Sequence, residues 1–155
     1  YRHPLVLSGG GHDWKQWEQI STFSTNHFRA INRVCISLVP EKIETFKIHQ
    51  AYVTEKRVKL LQQADALVMN FIEKNNLKRK IWQFPVILVP LSFNGNQGET
   101  LILRPVESEE AMTANFYPMH WNLLWKLTQK LKKIIGISGI LYDITHKPPG
   151  TIEWE

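Results

Sequence analysis

The sequence predicts an α+β fold in which helices pack on one face of an antiparallel sheet. Residues 54–155 show helical and strand-like patterns in the order helix, strand, strand, helix, strand, and residues 1–40 show a partial repeat of this order. A hydrophobic content of 43% and six tryptophans exclude a disordered chain. A chain of 155 residues is also long enough to bury one hydrophobic core.

The later unit begins with the clearest helical pattern in the chain. Apolar residues recur at three- and four-residue spacing over residues 54–75, which predicts an amphipathic helix. Strands are predicted at 85–91 and 100–106, and the turn sequence at 94–98 predicts that they pair as an antiparallel hairpin. Residues 86–89 are all apolar, so both faces of this strand need a cover. A second sheet, the rest of a larger protein or a second subunit could supply it.

A second helix and a final strand complete the unit. Gly136 marks the end of this helix, and the run at 139–144 predicts the closing strand. Six apolar residues are predicted to share the buried face of the helix: Trp121, Leu124, Leu127, Leu131, Ile134 and Ile135.

Residues 1–40 repeat part of this pattern. After a one-residue gap the run 31–36 matches 137–142, and the run 4–8 takes the place of the second hairpin strand. Asp13 has the position of a helix N-cap. The helix residues have matching spacing in the two copies: Trp14, Trp17 and Ile20 against Trp121, Leu124 and Leu127.

We therefore interpret residues 1–40 as a partial first α/β subdomain, whose opening helix and strand would lie upstream, and residues 41–53 as a linker. A chance similarity between two helix–strand units is the alternative.

Composition limits the classes of site that we expect. A single cysteine, Cys35, lies in an apolar run, so it gives neither a disulfide framework nor a zinc site and indicates a reducing, cytoplasmic location. No apolar run approaches the length of a membrane-spanning helix. The six histidines lack the spacing of metal ligands, so no metal site is expected.

The formal net charge of +5 includes two lysine-rich stretches, at 74–80 and 126–133. These stretches are either solvated surfaces or a source of attraction for phosphate-bearing ligands. A non-catalytic basic module that binds RNA or another polyanion is the alternative function. The glycine-rich run at 8–13 is interpreted as a turn, although such loops also bind anions through backbone N–H groups.

The end of the chain, residues 147–155, has the sequence Lys-Pro-Pro-Gly-Thr-Ile-Glu-Trp-Glu and is called the tail below. Its two prolines fix φ and remove two backbone donors, so it cannot extend a sheet in the ordinary way. Its tryptophan and its charged residues indicate a segment that docks on the protein. Lys147 lies between a strand end and the prolines, and its ammonium suits a phosphate group.

The tail resembles the C-terminus of the glutamine-hydrolysing GMP synthase family. The run Leu-Arg-Pro-Val-Glu-Ser-Glu-Glu-Ala-Met-Thr-Ala at 103–114 and the run at 137–145 precede it in the same order as in that family. The earlier half of the chain is similar only to the longer form of the family. The resemblance implies that residues 54–155 are a C-terminal dimerisation domain and that the likeness at 8–13 to the family's pyrophosphate loop is accidental.

The resemblance also implies a function in purine biosynthesis. Enzymes of this family adenylate xanthosine monophosphate (XMP) with ATP and magnesium, then displace AMP with ammonia from glutamine. This chain would contribute XMP binding and dimerisation, with no catalytic residue and no cofactor of its own. Its expected partners are XMP, a second copy of the chain, and upstream ATP pyrophosphatase and glutaminase domains, with no membrane and no nucleic acid.

The resemblance assigns substrate contacts to five residues: Gln83, Lys147, Thr151, Ile152 and Glu153. A glutamine at a strand edge is the alternative for Gln83. Arg104 lies in a predicted strand, where an arginine is costly to bury without a partner, and Glu107 or a second subunit is expected to supply that partner. His146 is considered as a further phosphate contact.

Overall fold

The computed structural model describes residues 2–108 and 113–154. Within these ranges the elements are β1 (His3–Leu7), α1 (Trp14–His27), β2 (Ile31–Val39), β3 (Phe46–Ile48), α2 (Glu55–Lys74), β4 (Val86–Val89), β5 (Leu91–Phe93), β6 (Glu99–Leu103), β7 (Val106–Glu107), β8 (Asn115–Phe116), α3 (Trp121–Leu131) and β9 (Ile137–Asp143).

The main sheet has five strands in the order β1-β2-β9-β6-β4. The pairs β1–β2 and β6–β9 are parallel, whereas β2–β9 and β6–β4 are antiparallel. Parallel neighbours need a crossover connection, and here α1 and α3 supply it. The predicted α+β class is therefore confirmed, and the sheet itself is mixed.

The partial repeat is visible in the sheet. β1–α1–β2 and β6–α3–β9 have the same order and the same parallel pairing. The sequence match makes Ile36 the counterpart of Tyr142, and these two residues lie opposite each other where β2 meets β9. An approximate two-fold axis therefore passes between them. The main sheet thus contains strands from both the predicted first subdomain, residues 1–40, and the predicted C-terminal domain, residues 54–155. The domain boundaries at residues 40 and 53 stay predictions.

N-cap residues set the starts of α1 and α2. α2 begins after the N-cap Thr54, whose side chain accepts from the Arg57 backbone N–H, and the helix ends at Lys74, close to the predicted range. Asp13 caps α1 by accepting from the Lys15 N–H at 3.0 Å. Both caps satisfy backbone donors that have no partner within the helix.

The end of α3 corrects one prediction. The helix ends at Leu131, and the next turn has i to i+3 hydrogen bonds, such as Ile134 N–H to Leu131 O at 3.0 Å. A turn of three residues keeps Ile134 on the buried face but rotates the next position away from it. Ile135 is 95% exposed, so its assignment to the buried face was wrong.

The predicted hairpin is confirmed, with Val86 opposite Leu103 and Val89 opposite Thr100. Its connection is longer than expected because it contains β5. That strand pairs with β3 in a separate two-stranded sheet, so part of the predicted linker is also a strand.

The two faces of the main sheet are covered differently. One face packs against all three helices and forms the larger core, with Trp17, Val68 and Leu127 among its buried residues. On the other face, Phe93 of β5 packs with Cys35, Ile102 and Leu141, and Trp154 of the tail packs against them. A second small sheet and the tail therefore supply the cover that the apolar strands require. No helix in the described part of the chain is long and apolar enough to cross a membrane.

Leu127→Ala should lower the free energy of unfolding by about 2–5 kcal/mol, because Leu127 is fully buried and its truncation leaves a cavity. Ile135→Ala is the matched control on the same segment and should change stability by less than about 0.5 kcal/mol. Urea unfolding of both variants measures the difference. Equal losses would show that the chain does not leave the helical path after Leu131.

Candidate functional site

The tail starts at the edge of the main sheet where β6 and β9 end and the antiparallel β2 begins. The antiparallel register places Cys35 of β2 opposite Asp143 of β9, and the parallel register aligns Leu103 of β6 with Tyr142. Beyond these pairs, Thr145 Oγ1 accepts from the Val34 N–H at 2.8 Å, which holds the segment just before the tail against β2. Side chains from β2, β6 and β9 therefore meet below the tail.

Three charged side chains meet at this point and form the Arg–Asp–Arg cluster of Arg33, Asp143 and Arg104. Arg104 Nη1 lies 2.8 Å from Asp143 Oδ2, and Arg33 Nη1 lies 3.4 Å from the same oxygen. All three are buried, with exposures of 2% for Arg33 and 0% for Asp143 and Arg104. Asp143 Oδ1 accepts from the Thr145 N–H at 2.8 Å, and Oδ2 also accepts from Trp154 Nε1 at 2.8 Å.

The two arginines bind the backbone of the tail. Arg104 Nη2 donates to Thr151 O at 2.7 Å and its Nε donates to Ile152 O at 3.0 Å. Arg33 Nη1 also donates to Thr151 O at 2.9 Å, while its Nη2 donates to the Thr151 hydroxyl and to Glu153 O. Each guanidinium presents several N–H donors in a fixed planar geometry, so these hydrogen bonds fix where the tail backbone lies.

The cluster holds two positive charges and one negative charge with little access to water. Burial lowers the pKa of the Arg33 guanidinium, the Asp143 carboxylate opposes that shift, and the Arg104 charge adds to it. The tail carbonyls partly compensate the excess positive charge because each presents the negative end of its dipole to a guanidinium. Burial also raises the pKa of the neighbouring Cys35 thiol well above its usual range, so this thiol stays protonated.

Lys147 and Gln83 lie on one small ribbon beside this cluster. Lys147 exchanges two backbone hydrogen bonds with Ala114, which precedes β8, and β8 pairs with β7. On the other side of β7, Gln83 forms a bridge with Val106. Gln83 and Lys147 are therefore the outer members of a four-segment ribbon, three strand spacings or roughly 14 Å apart across it and two residues apart along it.

The five predicted contacts, four in the tail and Gln83 outside it, have different surroundings. Lys147 and Ile152 are partly buried, while Gln83, Thr151 and Glu153 are exposed. The Thr151 hydroxyl is engaged with Arg33 and also donates to Glu153 O, so it already serves the tail's own structure.

His146 lies beside the tail with its Nε2 3.0 Å from Glu18 Oε1 of α1. Its ring also faces Phe116, with 5.4 Å between the ring centroids. Burial raises the pKa of the nearby Glu107 carboxyl, and the Glu18 charge raises it further. Among the described residues, no group of three His, Cys, Asp or Glu side chains is placed to hold a metal ion.

The expected partners of Arg104 were wrong. Asp143 neutralises it, because the parallel pairing of Leu103 with Tyr142 brings the next residues of the two strands together. Arg33 and Asp143 were missed as functional candidates. Each interrupts an apolar strand pattern, and such buried charges of opposite sign were the available signal.

The glycine-rich turn lies near the opposite end of β2. It borders a groove of about 970 Å³ between the turn and α3. Gly10 has a φ of +112°, and a Cβ there would lie 2.7 Å from the Trp17 ring, while Trp17 Nε1 donates to Gly11 O at 2.9 Å. These contacts support the interpretation of the run as a turn that packs on Trp17.

Comparison with known proteins adds the decisive observation. The sequence profile of the family described as GMP synthase C terminal domain matches residues 70–154, which is more than half of the chain. The chain belongs to this family. Gln83, Arg104, Asp143 and all described residues of the tail lie inside the matched range, whereas Arg33 lies outside it.

The chain is also similar to curated bacterial proteins. It is 38% identical to the probable GMP synthase [glutamine-hydrolyzing] of Leptospira interrogans serovar copenhageni, over 100% of this chain and 26% of that protein. It is 41% identical over 110 residues to the GMP synthases [glutamine-hydrolyzing] of Brachyspira hyodysenteriae and Phenylobacterium zucineum, which cover 66% of this chain and 21% of each relative. The chain thus spans about a quarter of the length of the relatives it matches. Residues 109–112 of the family-like run and the terminal Glu155 lie outside the described residues.

Asp143→Asn should lower the free energy of unfolding by about 3–5 kcal/mol, because it leaves two buried guanidinium groups without a countercharge. Asp65→Asn makes the same chemical change at an exposed position of α2 and should cost less than about 0.5 kcal/mol. Denaturant unfolding at neutral pH compares the two. A small loss for both variants would mean that the cluster contributes little to folding.

Proposed function

We propose that this chain is the C-terminal part of a glutamine-hydrolysing GMP synthase, where it contributes XMP binding and the subunit interface. The observation that carries this proposal is the family match over residues 70–154. It includes the tail motif that the buried Arg–Asp–Arg cluster holds in one place. The activity is that of a carbon–nitrogen ligase in cytoplasmic purine biosynthesis. Family membership does not favour the alternative of a basic module for RNA or another polyanion.

Lys147 is the proposed phosphate contact. Its backbone N–H donates to Ala114 O at 2.7 Å and its carbonyl accepts from the Ala114 N–H at 3.1 Å, so the position of the residue is set before a ligand arrives. The ammonium is a compact point charge that suits a phosphate, and the net charge of +5 favours the approach of an anion.

Gln83 is the proposed contact at the other side of the ribbon. A side-chain amide both donates and accepts, which suits the edge of a purine base, and Gln83 is exposed. Ile152 and Glu153 are proposed to contact the nucleotide from the tail, and Thr151 is part of the same segment. Gln83 and Lys147 lie three strand spacings apart across the ribbon, so a ligand that contacts both must cross it.

The chain would act by positioning the nucleotide rather than by proton transfer. ATP and magnesium would be bound by the remaining part of the parent protein, which also supplies the glutaminase and the ATP pyrophosphatase as partners. A homodimer is part of the proposal. The exposed apolar side chains of Phe46, Ile48, Tyr52 and Val53 support it, because monomeric proteins seldom expose such groups together.

XMP should raise the melting temperature of this chain, because a ligand that binds only the native state stabilises it by mass action, by about 2.7 kcal/mol at a hundredfold excess over Kd. Inosine monophosphate and AMP should have smaller effects. Lys147→Ala should abolish the XMP shift, whereas Lys126→Ala, at an exposed position of α3, should retain it. An equal loss in both lysine variants would indicate unspecific anion attraction, and no shift in the unmodified chain would contradict XMP binding by this part alone.

The purified chain should form no GMP from XMP, ATP, magnesium and ammonia, because it matches only about a quarter of the length of its relatives. Chromatographic detection of GMP checks this expectation. A parallel reaction with an intact GMP synthase shows that the assay works. ATP-dependent formation of GMP by the pure chain would overturn the division of roles proposed here.

A further inference from the structure

The tail is fixed by its backbone, and the residues that fix it come from both halves of the repeat. Arg33 lies on β2, Arg104 directly follows β6, and Asp143 ends β9. Together the two guanidinium groups bind the carbonyl oxygens of Thr151, Ile152 and Glu153. The geometry of three successive tail residues is therefore set by side chains that are remote in sequence.

This arrangement separates the tail groups that serve the fold from those that remain for a ligand. The Thr151 hydroxyl has one donor, which is directed to Glu153 O, and it also accepts from Arg33 Nη2 at 2.6 Å. Thr151 thus stabilises the tail itself. The carbonyl oxygens of Ile152 and Glu153 accept from the two arginines. Ile152 itself is partly buried and Glu153 is exposed, so their side chains remain for a ligand.

Arg33 contributes contacts to the tail from a position outside the matched family region. That region begins at residue 70, so it includes Arg104 and Asp143 but not Arg33. Arg33 binds Thr151 twice and binds Glu153 O, and its guanidinium carbon lies 5.6 Å from the centre of the Trp154 ring. A guanidinium at this distance from an indole is attracted by the ring.

We propose that Arg33 and Arg104 are positioning residues of the nucleotide site, and that Arg33 makes the first half of the chain necessary for tight nucleotide binding. This inference rests on the proposed function of the tail. The arginines act through the tail: they hold its carbonyls, so that Lys147, Ile152 and Glu153 are presented in one arrangement before the ligand binds. Preorganisation of this kind raises affinity because less ordering remains to be done on binding.

The test compares Arg33→Gln with Arg57→Gln. Arg57 is a matched control because it also binds a carboxylate, Glu99, at 2.7 Å, and also donates to backbone carbonyls, including Tyr52 O at 3.0 Å, away from the tail. Hydrogen exchange of the C-terminal peptide is measured without ligand, using the Gly150 amide, which donates to His146 O at 3.0 Å, as the reporter. Exchange of α3 amides gives the stability of the core.

Arg33→Gln should speed exchange in the tail and raise the Kd for XMP by about tenfold or more, the order expected when several charge-assisted hydrogen bonds are lost. Protection of α3 should change little, and Arg33→Lys should restore part of the affinity. Arg57→Gln should leave both the tail exchange and the Kd unchanged. Unchanged tail exchange in Arg33→Gln, or an unchanged Kd despite faster exchange, would overturn the inference.

A second pair of variants keeps the test decisive if Arg33→Gln does not fold. Thr151→Val removes the hydroxyl that Arg33 binds, and Thr151→Ser retains it. Of these two variants, only Thr151→Val should speed hydrogen exchange of the tail in the absence of XMP. If Thr151→Val changes tail exchange only when XMP is bound, Thr151 is a direct ligand contact instead. If the unmodified chain does not bind XMP, binding of XMP by this part alone is contradicted, while hydrogen exchange in the free protein still tests whether the arginines hold the tail.

Discussion

The carboxylate of Asp143 is the interaction on which the organisation of this protein depends. It ends β9, forms ion pairs with two buried guanidinium groups, and accepts from the Trp154 indole. A buried carboxylate of this kind is tolerated only where several donors satisfy it. Because those donors come from β2, from the end of β6 and from the tail, the single charge joins both halves of the sheet to the end of the chain.

The excess positive charge explains why the tail docks where it does. Two arginines and one aspartate leave guanidinium donors that water cannot reach, and backbone carbonyls of the tail accept from most of them. Arg33 Nε has no acceptor among the described residues. The tail in turn places Trp154 over the sheet face that carries Cys35 and Leu141. The same contacts therefore satisfy buried polar groups and complete a hydrophobic surface.

The internal repeat gives this arrangement its context. β2 and β9 are equivalent strands that meet at an approximate two-fold axis, and each has its parallel partner on the outer side. Arg33 on β2 therefore lies within reach of the end of β9, although more than a hundred residues separate it from Asp143. A relative from Leptospira matches the whole chain, whereas those from Brachyspira and Phenylobacterium match 66% of it. The longer match spans the position of Arg33 on β2.

The sequence by itself determined the α+β class, the helix at 54–75, the Asp13 cap, the antiparallel hairpin and the family, because these depend on local periodicity, capping chemistry and a contiguous motif. It also indicated that Lys147 and its neighbours form a docked tail. Only the tertiary structure decided the partner of Arg104, the contacts of Arg33 and the pairing of β3 with β5. The physical reason is that each of these contacts depends on strand order and register. Buried charges find their partners across the sheet, and no local pattern in the chain records which strands will be neighbours.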